Sequence, residues 1–187
     1  AIRYIALKAD GSILVGGGFQ SWNEVTRLGV ARLNSKGSLD SSFDSNGVVL
    51  SNDVTINALA VCTNGQAIIG GYFDTRGSSA CSNIARLNTN GGRDDSFVAA
   101  TSSEVLSVVI GDDLKPLLAG DFVFANSILR PGVAKLNDDG SLDAMFTPGL
   151  GADDTIRAVA LQADGKILVV GDFTTFDGAP RNHIARL

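Results

Sequence analysis

The chain has 187 residues, 44% of them hydrophobic, and a mean hydropathy of +0.18; that is enough to fill a core and excludes a disordered chain. A net charge of −5 and a pI of about 4.7 argue against nucleic-acid or anionic-membrane partners, which need a clustered positive face. No apolar run in the sequence approaches the roughly 20 residues of a membrane span, so direct membrane insertion is not expected.

One unit is written almost four times. Ile2, Ile56, Val105 and Ile156 open segments that align without gaps, dividing a single repeat region, 1–187, into repeats 2–55, 56–104, 105–155 and an incomplete 156–187. Such a period marks one supersecondary unit per copy, stacked on its neighbours. The opening segments read I-R-Y-I-A-L, I-N-A-L-A-V, V-L-S-V-V-I and I-R-A-V-A-L. Large and small side chains alternate, which suits a strand crowded on both faces. Asp10-Gly11, Asn64-Gly65 and Asp164-Gly165 follow; these pairs supply the positive φ of a tight hairpin. The third repeat has Asp113-Leu114 and then Pro116, which predicts a different turn type and a weaker second strand.

The second strands are I-L-V-G-G, I-I-G-G, L-L-A-G and I-L-V-V-G, ending in register on Gly17, Gly71, Gly120 and Gly171. A glycine there predicts close backbone approach or a bulge. Ten-residue loops lead to the third strands V-A-R-L, I-A-R-L, V-A-K-L and I-A-R-L. An Asn-x-x-Gly turn then introduces a fourth short strand carrying Asp-x-x-Phe, at Asp40 and Phe43, Asp94 and Phe97, and Asp143 and Phe146. Each repeat is therefore expected to be a four-stranded antiparallel meander. Length variation is confined to 44–55, 98–104 and 147–155, where exposed connectors tolerate insertion. Repeated small sheets, apolar on both faces, fit the blades of a β-propeller; a β-solenoid is the other architecture compatible with the period.

The pattern Ala163-Asp164-Gly165-Lys166-Ile167-Leu168-Val169-Val170-Gly171-Asp172-Phe173, together with Lys135-Leu136-Asn137-Asp138-Asp139-Gly140-Ser141-Leu142-Asp143-Ala144-Met145-Phe146, resembles the delta-60 repeats of bacterial β-propeller proteins. The resemblance covers nearly the whole chain. It implies tandem arrays in large bacterial proteins, often surface or secreted, and it transfers no catalytic residues. Because the fourth repeat stops before its last strand and Ala1 abuts the first, the expected shape is an open arc belonging to a longer array, with further blades as partners and sticky exposed faces.

The loops 20–29, 74–83, 123–132 and 174–183 differ most among repeats and are expected on one rim. Loops on a rigid scaffold commonly carry binding. They hold Trp22, Phe124 and Phe176 beside Asn23, Glu24, Asn126, Asp177 and Asn182, a set that suits a carbohydrate or a peptide if exposed and that otherwise covers the blade edge. Arg27, Arg130 and Arg181 share one loop position; they predict either a recurring ion pair, to Asp121, Asp172 or a neighbouring blade, or a ring of cations facing an anionic ligand. Arg32, Arg86, Lys135 and Arg186, with Asp40, Asp94 and Asp143, predict a charged staple within each blade, Lys135 serving only as a point charge.

Metal and catalytic signals are weak. Residues 137–143 lack the alternating ligands and closing Glu of a calcium loop, and an Asx turn explains them; Asp112-Asp113 and Asp153-Asp154 read as solvated turn residues. Cys62 and Cys81 form no C-x-x-C pair, so zinc and dithiol chemistry are not indicated, and the two are read as unpaired thiols. His183 is the only histidine, which makes no triad. No cofactor is expected. The reading is a non-enzymatic β-propeller scaffold for binding or adhesion in a bacterial surface or secreted protein, with its carbohydrate or protein ligand on the rim loops. The alternatives are part of a polysaccharide-acting hydrolase or lyase, or a structural spacer.

Overall fold

Segments in which large and small aliphatic residues alternate become strands buried on both faces, and here they stack as blades. In the computed structural model, which describes residues 1–46, 48, 54–75 and 82–187, the chain is all-β, with no helix among the described residues. The first blade comprises β1 (Ile2–Leu7), β2 (Ile13–Gly17), β3 (Ser21–Trp22), β4 (Val25–Thr26) and β5 (Val30–Leu33). The second comprises β6 (Thr55–Val61), β7 (Ala67–Asp74) and β8 (Ser82–Leu87). The third holds β9 (Val105–Ile110), β10 (Pro116–Gly120), β11 (Phe124–Ala125), β12 (Ile128–Leu129) and β13 (Val133–Lys135). The fourth holds β14 (Ile156–Leu161), β15 (Ile167–Gly171), β16 (Thr175–Phe176), β17 (Ala179–Pro180) and β18 (Ile184–Arg186).

Each blade is a three-stranded antiparallel sheet, ordered β1-β2-β5, β6-β7-β8, β9-β10-β13 and β14-β15-β18. The expected fourth strand shrinks to one bridge in each of the first three blades, Leu33 to Leu39, Leu87 to Arg93 and Leu136 to Leu142. The Asp-x-x-Phe turn is the cause. Asp40, Asp94 and Asp143 accept the amides of Ser42, Ser96 and Met145 on their side chains. Their own carbonyls accept the amides of Phe43, Phe97 and Phe146. The segment curls where a strand would extend.

The register glycines behave as their positions predict. A Cβ at Gly17, Gly71, Gly120 or Gly171 would sit on the backbone carbonyl oxygen of Ala1, Thr55, Glu104 or Thr155. Opposite them the pairing skips one residue of each first strand, at Arg3, Asn57, Leu106 and Arg157, a bulge that turns this side chain out of the sheet.

Gly11, Gly65 and Gly165 take φ of 80°, 85° and 81° in their turns. The third blade departs from expectation. Its turn is of the same kind, closed by the Leu114 amide on the Gly111 carbonyl at 2.9 Å, and Leu114 itself is driven to φ 62°. Its second strand is not weak, since β10 is buried throughout. What Pro116 removes is a donor toward the outer strand, and β13 stops at Lys135, one residue earlier than β5.

The cores lie between blades. Leu14, Val30 and Phe43 enclose Ile56 and Leu59. Ala58, Ile68, Ile84 and Phe97 enclose Val105 and Val108, and Leu117, Ala119 and Val133 enclose Ile156 and Val159. Full burial of one such aliphatic is worth about 2 kcal/mol, so neighbouring blades hold one another folded. The arc is open: Ile2 and Ile5 are 48% and 63% exposed, where their equivalents Ile56 and Leu59 are 0% and 1% exposed. The connectors are also more than exposed links. Thr101 and Ala152, both buried, bridge to Ala125 and Phe176 in the following blade.

Candidate functional site

The rim loops fold as hairpins, which the sequence reading did not anticipate. β3 pairs with β4, β11 with β12 and β16 with β17. Positive φ at Asn23 and Glu24, at Asn126 and Ser127, and at Asp177 and Gly178 closes each two-residue turn, the backbone of a type I′ hairpin. The signal was present in Asp177-Gly178 and was hidden in Asn23-Glu24 and Asn126-Ser127. The corresponding loop of the second blade falls largely in 76–81, outside the described residues, as does Cys81; Cys62 is a half-buried free thiol whose pKa burial pushes up.

Hairpin register sorts the aromatic candidates. Trp22, Ala125 and Phe176 occupy the position that faces the blade. Trp22 is half-buried and meets Phe19 edge-on at 5.9 Å, and Phe176 is buried against Phe173 at 6.0 Å. Phe124 lies one residue earlier, faces outward and is 45% exposed. The predicted aromatics therefore do not form one platform.

The polar candidates are mostly structural. Asn126 accepts the Ala100 amide at 2.9 Å and donates to the Gly140 carbonyl at 2.9 Å. Asp177 accepts the Leu150 amide at 2.9 Å. Each ties its hairpin to the preceding connector. Glu24 is exposed at the tip of the first hairpin. The recurring arginines make neither the expected ion pairs nor a cationic ring. Arg27, Arg130 and Arg181 each donate Nη1 to the carbonyl one residue before, on Thr26, Leu129 and Pro180, at 2.8, 2.9 and 2.8 Å. The two carboxylates proposed as their partners are engaged elsewhere: Asp121 accepts the Thr155 hydroxyl at 2.8 Å and Asp172 binds Arg157. Arg27 alone is buried, 4.0 Å from Asp44.

The staple is present in two blades and exchanged in the third. Arg32 Nε donates to Asp40 at 2.9 Å and Arg86 Nε to Asp94 at 2.8 Å. Their guanidinium groups lie 4.9 Å over Phe43 and 5.1 Å over Phe97, so both residues of Asp-x-x-Phe serve the arginine. Each arginine also reaches the next blade, Arg32 at the Thr89 carbonyl and Arg86 at Asp138. Lys135 does not bind Asp143. Lys115, at the position from which Gln66 reaches Asp94, takes Asp143 at 2.9 Å, and Lys135 turns to Asp113 at 2.6 Å. Asp113, exposed in its turn and accepting the Lys115 amide at 3.2 Å, is thus an ion-pair partner as well as a turn residue.

Several other carboxylates are also engaged. Asp139 caps Ser141 in the expected Asx turn, and no metal-binding cluster occurs among the described residues. Asp121, Asp153 and Asp154 line a small rim crevice between the third and fourth blades. Asp153 is no mere turn residue: the Thr175 amide, then the Thr174 hydroxyl and amide, lower its pKa to about 2. Burial would raise Asp94, but the Ser96 hydroxyl and amide, Gln66 and Arg86 outweigh it and bring it to about 2.

Two surfaces remain. Along the first strands the bulge residues Arg3 and Asn57 meet across blades, Arg3 donating at 2.8 Å, and Asn57 donates in turn to Glu104, just before β9, at 2.9 Å. On the rim, the third hairpin exposes Val123, Phe124, Ile128 and Leu129, at 49%, 45%, 50% and 55%. It is rigidly mounted, since the Ser102 hydroxyl accepts the amides of Val123 and Phe124 at 3.0 and 3.1 Å. Sequence reading marked only Phe124 of these four.

The repeated sheets and the Arg–Asp–Phe turn define a class, the β-propeller repeat proteins. The family model described as a domain of unknown function (DUF5122) beta-propeller matches residues 8–43, 62–97, 116–146 and 162–187. More than half of the chain is matched, and the chain belongs to this family. No curated protein matches the sequence. Among solved structures it is similar to the WD40 β-propeller domain of Doa1, at 14% identity and a TM-score of 0.60, covering 100% of this chain and 50% of that one. It is similar to the extracellular domain of a one-component system from B. thetaiotaomicron, at 14% identity and a TM-score of 0.57, covering 100% and 21%. PorZ, a bacterial surface component of the type-IX secretion system of Porphyromonas gingivalis, is similar at 18% identity and a TM-score of 0.51, covering 90% and 24%. The chain thus spans half or less of each of these structures, and at such identities the likeness is one of fold.

Proposed function

We propose that the chain is a non-enzymatic binding module of a bacterial surface or secreted protein, and that its ligand-contacting surface is the third rim hairpin. The observation that carries this is the set of four neighbouring exposed apolar side chains, Val123, Phe124, Ile128 and Leu129, on a hairpin pinned by Asn126 and Ser102. An exposed apolar patch on a rigid mount is the usual mark of an interaction surface. Phe124 offers a face to a sugar ring or an apolar side chain, and Arg130 beside it offers a charged rim. The fold likeness to extracellular domains and the delta-60 resemblance support the location. The carboxylates support binding over glycoside hydrolysis, because a general acid needs a raised pKa and, among the described residues, the resolved carboxylate shifts are downward, Asp121's neighbour Asp153 included.

The test is a glycan, cell-wall and surface-protein array probed with the chain and with a V123T/F124S/I128T/L129S variant. All four side chains are exposed, so the variant keeps its fold by circular dichroism. Binding by the parent that the variant loses supports the reading. Binding that survives in the variant places the ligand elsewhere, and a folded parent that binds nothing favours a structural spacer.

A further inference from the structure

Each internal junction seats one large aliphatic side chain from the next blade. Ile56, Val105 and Ile156 are all 0% exposed. Two positions of the blade before it can oppose this side chain, the middle-strand residue preceding the register glycine and the residue preceding the outer strand core; Ile56 meets both, Val105 the first and Ile156 the second. These are Gly16 and Gly29, then Gly70 and Asn83, then Ala119 and Gly132. The seats have no slack. A Cβ at Gly16 would lie 2.9 Å from Ile56 Cγ2, at Gly29 3.0 Å from Ile56 Cγ1, at Gly70 2.6 Å from Val105 Cγ1 and at Gly132 2.8 Å from Ile156 Cδ1.

The fourth blade breaks this pattern at both positions. Its residues there are Val170 and His183. His183 holds the same left-handed backbone, φ 66° against 72° and 77° at Gly29 and Gly132, and its Nδ1 lies 3.1 Å from the Gly171 carbonyl oxygen. The rest of the face is ordinary junction surface. Leu168 and Ile184 repeat Ile68 and Ile84, which are buried at the second junction. The face repeats the junction surface, but it carries the larger Val170 and His183 at the two positions where the other blades have Gly, Ala or Asn.

We infer that the free face of the fourth blade accepts a β-blade whose first strand presents Gly or Ala at the seated position and rejects one presenting Ile or Val. The first blade of a second copy, which presents Ile2, therefore does not dock there, and the face distinguishes its neighbour from the blades already in the chain. Continuity with the three internal junctions identifies the occupant as a blade, and the two enlarged positions set its chemistry.

The seat can be moved to a junction that is already closed. Ala119→Val with Gly132→His installs it under Ile156. The expected result is a shift of the unfolding equilibrium by about tenfold or more toward the unfolded state, the cost of overpacking. Adding Ile156→Ala, which destabilises the parent, is expected to recover most of that loss. A double variant as stable as the parent overturns the inference, as does a triple variant less stable than the double. If the double variant fails to fold, the triple variant still decides, since an unfolded triple overturns the inference. In sedimentation, association of the unmodified chain that Ile2→Asp abolishes would overturn it as well.

Discussion

Replacing Arg86 by alanine removes several contacts at once. Its side chain is 8% exposed, bonded to Asp94 at 2.8 Å and stacked 5.1 Å from the Phe97 ring centroid. Asp94, only 14% exposed, would keep Ser96 and Gln66 as neutral donors but lose its counter-ion. A partly buried acceptor stripped of one charged partner costs about 2 kcal/mol, and the lost stacking about 1 kcal/mol. The bond to Asp138, whose side chain is 96% exposed, adds little. The sum, about 3 kcal/mol, corresponds to a fall in Tm of roughly 6–12 °C for a chain of this size. Thermal melts and urea titrations at pH 7 measure it. Exchange of the amides around Asp94 locates it, because repeat arrays need not unfold as one unit. The loss should shrink toward about 1 kcal/mol as pH falls below the folded value of about 2, where Asp94 becomes protonated and only the stacking contribution is left. A variant within about 0.5 kcal/mol of the parent at pH 7, or a loss that does not depend on pH, would refute the account of the Arg–Asp–Phe turn. Lys166→Ala is the control: that pair, 49% exposed on both sides, should change almost nothing.

Leu114→Gly should stabilise the chain by about 1 kcal/mol, since it relieves a left-handed leucine at φ 62° whose side chain is exposed; an unchanged or lower urea midpoint would count against strain at this turn. Gly120→Ala should cost about 3 kcal/mol, because its Cβ would meet the Glu104 carbonyl, a backbone atom that cannot rotate away; a neutral result by thermal melt would contradict the register. Acid should destabilise the second blade. Folding lowers the Asp94 carboxyl from 3.8 to about 2, so its contribution, about 2 kcal/mol, is whole above the unfolded value and lost as pH falls through the folded one. In Asp94→Asn the slope of stability against pH between 4 and 2 should flatten; an unchanged slope would assign the acid sensitivity elsewhere. Asn126→Ala should loosen the third hairpin by about 1 kcal/mol and speed exchange of the Ala100 amide it caps, whereas equal exchange would mean that the rim is not pinned from its connector.

Much of this architecture is local in origin and was therefore legible in the amino-acid order. Alternating Ile, Leu and Val with Ala and Ser define strands crowded on both faces. Asp-Gly and Asn-Gly define hairpins, since only certain residues accept positive φ. Gly17, Gly71, Gly120 and Gly171 anticipate a carbonyl too near for any side chain. The recurrence of Arg with Asp-x-x-Phe anticipates a staple where both partners sit in one blade. What the order of residues did not disclose depends on geometry between blades. Lys135 faces Asp113 because Lys115 has already taken Asp143, a competition among three points brought together only by folding. Trp22 and Phe176 were indistinguishable from Phe124 until the hairpin register turned two of the three toward the blade. Arg27 is buried and Arg181 exposed at one repeat position; segment 44–46 lies against the first. Ile128 and Leu129 have the composition of core and the placement of surface, since burial is decided by what lies opposite a side chain, and in a stacked repeat that is the neighbouring blade.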